Sequence, residues 1–212
     1  MINMSASSAS FRAPWLVVGL GNPWPIGTRR SRHNFGLLQL DALAKNLKAE
    51  WRFSIEAMAY VAEVKTNAEN SKNDVEQREL YLIWPMMPYN LSGFCVNRVL
   101  KSLAARKVPI PPTKLLVFHD DLDKKFAAFS FKDGGSCGGN KGLLSISSVL
   151  GTECFHRLRI GIGRPGVDSK SWDPKLIVPY VLGSVSAAEE AELKRRVIDP
   201  NIPLILSYCT TN

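Results

Sequence analysis

The sequence predicts a single α/β domain with a mixed, largely parallel sheet flanked by helices. Its 212 residues are 45% hydrophobic and 22% charged, which is typical of one globular domain with a substantial core. Short apolar segments of the strand type alternate along the chain with segments of helical spacing, and no internal repeat is present. This alternation is the pattern of α/β proteins. We expect the domain to occupy residues 15–212.

The segment before this domain has a different composition. Residues 1–14 are rich in Ser and Ala, carry Arg12 and lack acidic side chains, which predicts a disordered tail with a faint likeness to an organellar presequence. The four cysteines show no paired spacing, so we expect neither a disulfide scaffold nor a zinc site, and a reducing compartment is favoured. No apolar run approaches the roughly 18 residues of a membrane span. We therefore expect a protein of the cytoplasm or the mitochondrial matrix, without a membrane partner.

The first strand and the first helix enclose an irregular loop. The run at 15–18 is apolar and bounded by glycine, which predicts a buried strand. Glycines and prolines between residues 19 and 27 exclude regular structure there, and apolar residues with helical spacing follow His33. In open α/β sheets, ligands bind at the carboxyl ends of the strands. Asn22 and His33 are expected at that edge.

The next part of the chain predicts a hairpin and a second helix. Residues 60–64 and 80–84 are of the strand type, and the polar stretch 67–78 between them is expected to be a surface loop or hairpin tip. A stripe of apolar residues with helical spacing follows Asn90.

The second half supplies the remaining elements. In order they are a buried strand at 115–118, a strand at 126–132, a glycine-rich loop at 134–142, a short helix at 143–150, a strand at 157–163 and a polar helix at 186–197. Asp120 comes directly after the first of these strands. Pro200 and Pro203 are expected to interrupt the last segment, 199–212.

Gly19 and Gly21 follow a strand, as in a dinucleotide-binding loop. The position of the third glycine is Trp24, however, and prolines stand where the helix should begin. No helix N-terminus is therefore available for a pyrophosphate, and we reject this interpretation.

The loop at 134–138 matches the GxSxG pattern around Ser136. A nucleophile elbow requires an acid and then a histidine further along the chain. His156 is the only histidine that follows, and Glu153 is the only acid between it and Ser136. These two residues lie too close together beside one strand to form a triad readily. A flexible glycine-rich loop is the favoured interpretation, with a serine hydrolase as an alternative.

A third set of residues suits hydrolysis better. His33, Asp120, Asn22 and Asn90 each follow a predicted strand or precede a helix at the presumed carboxyl edge of the sheet. An imidazole with a carboxylate partner can deprotonate water as a general base. Carboxamides nearby can hold a carbonyl group and stabilise an oxyanion. This chemistry needs no nucleophilic side chain.

Basic residues surround this set. The formal net charge is +8, which favours a polyanionic partner. The basic side chains fall in two groups, one before His33 (Arg29, Arg30, Arg32) and one around the glycine-rich loop (Lys132, Lys141, Arg157, Arg159). A positive rim around a His/Asp/Asn site suits hydrolysis of a group attached to RNA.

Five segments now identify a resemblance. VVGLGNP, SRHNFG, MPYNLSG, LVFHDDLD and FHRLRIGIGRPG occur in this order between about Leu16 and Gly183. Together they closely resemble the bacterial-type peptidyl-tRNA hydrolase family. The resemblance implies a monomeric α/β domain that hydrolyses the ester between a peptide and the 3′ end of tRNA, without a metal or other cofactor.

The resemblance also assigns residues. It places the catalytic histidine at His33 and its aspartate partner at Asp120. The residues expected to bind substrate are Asn22, Asn90, Tyr89, Asn140 and Lys141. The clamp for the tRNA 5′-phosphate falls on Lys132 and Arg159, and a charged clamp of this kind selects RNA with a terminal phosphate at the right distance from the ester.

The sequence departs from the family pattern in three places. Members usually carry His-Asn where this chain has Asn140-Lys141, so either Asn140 takes over the role of the family's asparagine or Lys141 polarises the carbonyl. Asn22 and His33 are separated by one residue more than in the family, and the segment after Gly183 is divergent. The alternative function is a non-catalytic RNA-binding paralogue, for example in organellar intron splicing. Retention of the four core residues favours the enzyme.

Overall fold

The structure, a computed structural model, describes residues 13–69, 75–166 and 173–211. The predicted disordered tail, residues 1–14, lies outside these ranges except for Ala13 and Pro14.

The sheet contains seven strands in the described residues, in the order β2-β3-β4-β1-β5-β7-β6. The strands are β1 (Trp15–Gly19), β2 (Arg52–Ser54), β3 (Ala59–Glu69), β4 (Val75–Pro85), β5 (Leu115–Asp121), β6 (Phe129–Lys132) and β7 (His156–Gly161). The central strands β4, β1, β5 and β7 run parallel, whereas β2, β3 and β6 pair antiparallel with their neighbours. The predicted α/β fold with a mixed, largely parallel sheet is confirmed.

Helices cover both faces of this sheet. They are α1 (Phe35–Asn46), α2 (Ser92–Ala105), α3 (Lys141–Leu150), α4 (Pro174–Leu182), α5 (Ala187–Leu193) and α6 (Asp199–Thr211), with a π-helical segment, Lys194–Ile198, joining the last two. Helices α1 and α6 pack together, and α2 packs against α3. Short 3₁₀ turns at Arg32–Asn34 and Tyr89–Leu91 precede α1 and α2.

Strand β1 shows how the sequence builds two cores. Successive side chains of a strand point to opposite faces. Trp15 and Val17 join the core that includes α1 and α6, whereas Leu16 and Val18 join the core under α2 and α3. All four are at most 2% exposed, and burial of each apolar side chain contributes about 1.5–3 kcal/mol. A strand buried on both faces is therefore apolar throughout, as its sequence shows.

The polar stretch 67–78 is only partly a turn. Strands β3 and β4 continue to Glu69 and from Val75, in register from Ala59↔Pro85 to Glu69↔Val75. The prediction of a hairpin is confirmed, but the strands extend further into the polar stretch than predicted. Backbone hydrogen bonds of a hairpin do not require apolar side chains, so composition placed the strand ends too early.

The prolines near the C-terminus do not interrupt the last helix, contrary to the prediction. Pro203 lies inside α6, where it removes one backbone hydrogen bond. The helix is held by packing, since Ile205 and Cys209 are buried in the core. Gln39 of α1, itself fully buried, donates to the carbonyl of Ile198 at 3.1 Å in the π-helical segment. Tertiary contacts thus outweigh the local preference.

Candidate active site

His33 and Asp120 meet at the carboxyl edge of the sheet. His33 lies in the 3₁₀ turn after β1, and Asp120 is near the end of β5. The Nδ1 atom of His33 is 3.0 Å from Oδ2 of Asp120, and the two side chains are 17% and 6% exposed. A carboxylate only accepts hydrogen bonds, so Nδ1 donates and Nε2 carries the lone pair.

Tyr89 completes the surroundings of Asp120. Its hydroxyl donates to Oδ1 of Asp120 at 2.8 Å, and its ring stacks on the imidazole of His33 with centroids 3.6 Å apart. Burial alone would raise the pKa of Asp120, but the neighbouring His33 and the hydrogen bonds from His33 and Tyr89 lower it below its ordinary value. Asp120 is therefore held ionised beside the imidazole.

Asn22 lies in the loop after β1 and is oriented by the same tyrosine. Its Oδ1 accepts from the backbone N–H of Tyr89 at 2.8 Å. Asn34, which is buried and holds this loop, was not predicted as a site residue. Its Oδ1 accepts from the backbone N–H of Asn22 at 2.7 Å, and its Nδ2 donates to the carbonyls of Asn22 and Thr28 at 3.0 and 2.8 Å. An amide directly before an apolar helix is a signal that could have identified it.

Asn90 is placed differently from the other predicted residues. It follows Tyr89 in the 3₁₀ turn and is exposed, whereas Tyr89 is buried. Neither Asn90 nor Asn22 is among the residues that line the cavity described next. The structure thus brings His33, Asp120, Tyr89 and Asn22 into direct contact, with Asn90 beside them.

A cavity of about 710 Å³ opens next to His33 and Asp120. One wall is the glycine-rich loop before α3. Another is α4, which contributes Ile177, Val178, Val181 and Leu182. Helix α4 was not predicted from the sequence, although Asp173-Pro174 is a typical helix start. The side chain of Asp173 caps the helix by accepting from the N–H of Lys175.

Asn140 and Lys141 lie at the start of α3 and both line the cavity. Both ends of the Asn140 amide are engaged. Its Oδ1 accepts from the N–H groups of Gly142 and Leu143 at 3.1 and 3.0 Å, and its Nδ2 donates to the Tyr89 hydroxyl at 2.8 Å. Lys141 is exposed and makes no hydrogen bond or ion pair within the described residues.

The basic residues around the glycine-rich loop differ in exposure and in their contacts. Lys132 and Arg159 both line the cavity; Nζ of Lys132 donates to the carbonyl of Ser136, and Nε of Arg159 donates to Asp121 at 2.6 Å. Arg157 also lines the cavity but is only 1% exposed, and it fixes the glycine-rich loop through the carbonyls of Ser136 and Glu153.

The arginines before His33 are not a free positive rim, contrary to the prediction. Arg32 is largely buried and lies over the ring of Tyr180, 4.3 Å from its centroid. Each arginine is paired with an acidic side chain: Arg29 with Asp41, Arg30 with Glu190 and Arg32 with Glu189. They attach the loop of His33 to α1 and α5.

Ser136 has no contact that would support the serine-hydrolase alternative. Its hydroxyl accepts from the N–H of Gly138, whereas His156 contacts Asp133 and the carbonyl of Thr113. Glu153 accepts from the N–H of Cys137. The three residues of the supposed triad are therefore engaged separately.

Comparison with known proteins identifies the family of the chain. The model of the peptidyl-tRNA hydrolase family matches residues 16–207. The chain belongs to this family.

Individual peptidyl-tRNA hydrolases match over most of their length. The enzyme of Thermus thermophilus is 38% identical over 187 residues, which cover 87% of this chain and 84% of the relative. That of Frankia alni is 39% identical over 180 residues, covering 85% and 80%. The crystal structure of peptidyl-tRNA hydrolase from Acinetobacter baumannii superposes with a TM-score of 0.67 at 29% identity, covering 93% of this chain and 87% of that one. The resemblance found in the sequence is confirmed.

Two further findings concern the described residues of this peptidyl-tRNA hydrolase family member. No group of three or more His, Cys, Asp or Glu side chains there is arranged to hold a metal ion. None of the helices in these ranges has the length and apolar character needed to cross a bilayer.

Proposed function

We propose that this protein hydrolyses the ester that joins a peptide to the 3′ end of tRNA, with His33 as the general base. The observation that carries the proposal is the environment of one imidazole. Its Nδ1 faces the buried carboxylate of Asp120, while its Nε2 has no partner in the described part of the chain. The ring lines the cavity, so Nε2 is available to a bound water.

The chemistry follows from this geometry. Nε2 of His33 removes a proton from water as the water oxygen attacks the ester carbonyl, and Asp120 stabilises the imidazolium that forms. The tetrahedral oxyanion then collapses and the bond to the ribose oxygen breaks. The imidazolium returns its proton to this leaving oxygen, which gives tRNA with a free hydroxyl and a peptide with a free carboxylate.

Asn22 and Asn90 hold the substrate near the ester in this proposal. The carboxamide oxygen of Asn22 is occupied by the N–H of Tyr89, so its NH₂ group is the end available to donate to a carbonyl. The exposed Asn90 contacts the substrate further from His33.

Of the two residues that depart from the family pattern, Lys141 is the better candidate for contact with the ester. Both ends of the Asn140 amide are already engaged within the protein. Lys141 is a cation at a helix N-terminus, where the helix dipole disfavours it, and it has no acidic partner among the described residues. A negatively charged oxygen of the substrate or of the transition state would supply that partner.

Lys132 and Arg159 are proposed to bind a phosphate of the tRNA. They line the same cavity as His33. Arg159 uses only Nε to bind Asp121, and the structure gives its two terminal nitrogens no partner in the described residues. These nitrogens can donate to a phosphate. Independence from metal, a monomeric state and a cytoplasmic or mitochondrial location complete the proposal.

The decisive experiment measures release of the acyl group from N-acetyl-aminoacyl-tRNA in the presence of EDTA. Wild type is expected to turn over, and His33→Ala to lose roughly 10²–10⁴-fold in kcat. His156→Asn is the matched control, because it changes a second histidine with an aspartate partner away from the cavity. Retention of most activity by His33→Ala would contradict the general-base role. Binding of tRNA without turnover by wild type would instead support the RNA-binding paralogue.

A further inference from the structure

The hydroxyl of Tyr89 links two residues of the site. Tyr89 is 4% exposed, and its hydroxyl donates to Oδ1 of Asp120 and accepts from Nδ2 of Asn140, both at 2.8 Å. Burial and the neighbouring Asp120 raise the pKa of Tyr89 well above its ordinary value, so the phenol keeps its proton. It is therefore a permanent donor to the carboxylate.

This bond belongs to a chain of hydrogen bonds that all point the same way. The N–H groups of Gly142 and Leu143 at the start of α3 donate to Asn140. Asn140 donates to Tyr89, and Tyr89 donates to Asp120. Aligned donors of this kind polarise one another in a buried setting. The helix cap thus fixes the Asn140 amide, and the amide fixes the direction of the Tyr89 O–H.

The ring of Tyr89 is fixed as well. It stacks on His33 with an interplanar angle of 19°. It also packs against Gly142, where an added Cβ would come within 2.5 Å of the Tyr89 Cε1 atom. The ring therefore has little room to turn, and its hydroxyl remains at Asp120.

We propose that Tyr89 is a positioning residue for the reaction, holding the Asp120 carboxylate in the orientation that aligns His33. The inference rests on the proposed function and deepens it. With Oδ1 held by Tyr89, the carboxylate cannot rotate, and Oδ2 stays directed at Nδ1 of His33. Because the hydroxyl is buried and both of its hydrogen bonds are within the protein, Tyr89 acts on the base through Asp120.

Charged and titratable groups line the cavity around the pair from several elements. They are His119 and Asp121 from β5, Lys132 from β6, Arg157 and Arg159 from β7, Lys141 from α3, Cys137 from the glycine-rich loop, and Asp123 and Arg164 from the loops after β5 and β7. Burial lowers the pKa of His119, which keeps it neutral, and Asp121 is neutralised by Arg159. Substitution of Tyr89 by Phe leaves all of these in place and removes the donor to Asp120 together with the acceptor of Asn140 Nδ2.

The test is steady-state kinetics of Tyr89→Phe with N-acetyl-aminoacyl-tRNA across a range of pH. The ring and its stacking are kept, so the fold is expected to persist. We expect kcat to fall roughly tenfold with KM within about twofold of wild type. A carboxylate that has lost one donor holds the imidazolium more strongly, so the acid limb of the kcat profile is expected to move to higher pH, by about half a unit to one unit.

Tyr81→Phe is the matched control, since Tyr81 is buried in β4 on the core of α2 and α3 and does not line the cavity. It is expected to leave kcat and the pH profile unchanged. A double variant tests whether Tyr89 acts through Asp120. The single-turnover rate of Asp120→Asn/Tyr89→Phe is expected to be close to that of Asp120→Asn alone, because the carboxylate through which Tyr89 acts is gone.

Three results would overturn the inference. They are an unchanged kcat and pH profile in Tyr89→Phe, a rise in KM alone, which would indicate direct substrate binding, or full additivity with Asp120→Asn. These outcomes are distinct from failure of the proposed function, which would show as absence of turnover in wild type or its persistence in His33→Ala.

Discussion

The molecule contains two sets of histidine, aspartate and tyrosine, one at each edge of its sheet. At the carboxyl edge, His33 contacts Asp120, and Tyr89 donates to the same carboxylate. At the opposite edge, Nδ1 of His156 is 2.9 Å from Asp133, and the Tyr208 hydroxyl bonds to Asp133 as well. The residue types are the same, but Tyr208 and His156 contact the same oxygen of Asp133 and lie 2.6 Å from each other, whereas Tyr89 and His33 contact different oxygens of Asp120. Only the first set lies beside the cavity.

The two sets differ in the exposure of the aspartate and in whether Nε2 of the histidine has a partner. Both histidine side chains are 17% exposed, but Asp120 is 6% exposed and Asp133 is 74% exposed. Nε2 of His156 is 3.0 Å from the carbonyl of Thr113, which leaves this imidazole no nitrogen for a substrate. A buried carboxylate and an unengaged nitrogen are thus what distinguish the proposed general base, His33, from His156.

The second set instead attaches α6 to the sheet. The ring of Tyr208 stacks on Phe131 of β6 at 4.7 Å and meets Trp15 of β1 edge-on at 5.9 Å. Burial and the hydrogen bond to Asp133 raise the pKa of the Tyr208 hydroxyl, which therefore stays protonated. We expect changes to this set to affect stability and changes to the first set to affect activity.

The largest expected effect comes from removing each carboxylate in turn. Asp120→Asn is expected to lower kcat for N-acetyl-aminoacyl-tRNA by about 10³–10⁴-fold, because the amide no longer fixes the tautomer or stabilises the imidazolium. Asp133→Asn is the matched control and is expected to stay within about twofold of wild type. Similar losses of kcat in both variants would remove the distinction between the two sets.

A smaller effect is expected from Tyr208→Phe, which removes the hydroxyl at the structural set. The lost hydrogen bond to a carboxylate is expected to lower the free energy of unfolding by about 1 kcal/mol and Tm by about 2–4 °C. Urea denaturation and calorimetry measure this change, and kcat should be unaltered. A loss of activity without a loss of stability would assign Tyr208 a role that the structure does not indicate.

The smallest expected effect is the loss of the stability contributed by Asp133 at acid pH. The hydrogen bonds from Tyr208 and His156 lower the pKa of Asp133, so its contribution to stability is present above the ordinary aspartate pKa of about 3.9 and is lost as pH falls through the lowered value. Because Asp133 is largely exposed, this contribution is expected to be about 0.5 kcal/mol or less. The difference in unfolding free energy between wild type and Asp133→Asn should therefore shrink below about pH 4. A difference in unfolding free energy that grows as the pH falls would contradict this expectation.

The same comparison shows which features of the site could be predicted from the sequence. The positions of His33, Asp120 and Asn22 relative to the predicted strands placed them at the carboxyl edge of the sheet, because the carboxyl ends of parallel strands meet at one edge. The sequence could not show that Tyr89 lies between Asn140 and Asp120, since the two hydrogen bonds join three separate elements. Charge alone was also insufficient: Arg30 and Arg32 are basic in sequence, but their acidic partners lie near the other end of the chain.

The attachment of the His33 loop to the C-terminal helices has a consequence for synthesis on the ribosome. Arg32 and Glu189 are 157 residues apart, and the backbone near Arg32 also bonds to Gly183 and Val185. Asp120 and Tyr89 emerge well before these partners do. The loop that carries His33 is translated among the first segments, whereas the residues that attach it to the C-terminal part of the fold are translated among the last, so a nascent chain that ends before residue 183 lacks these attachments.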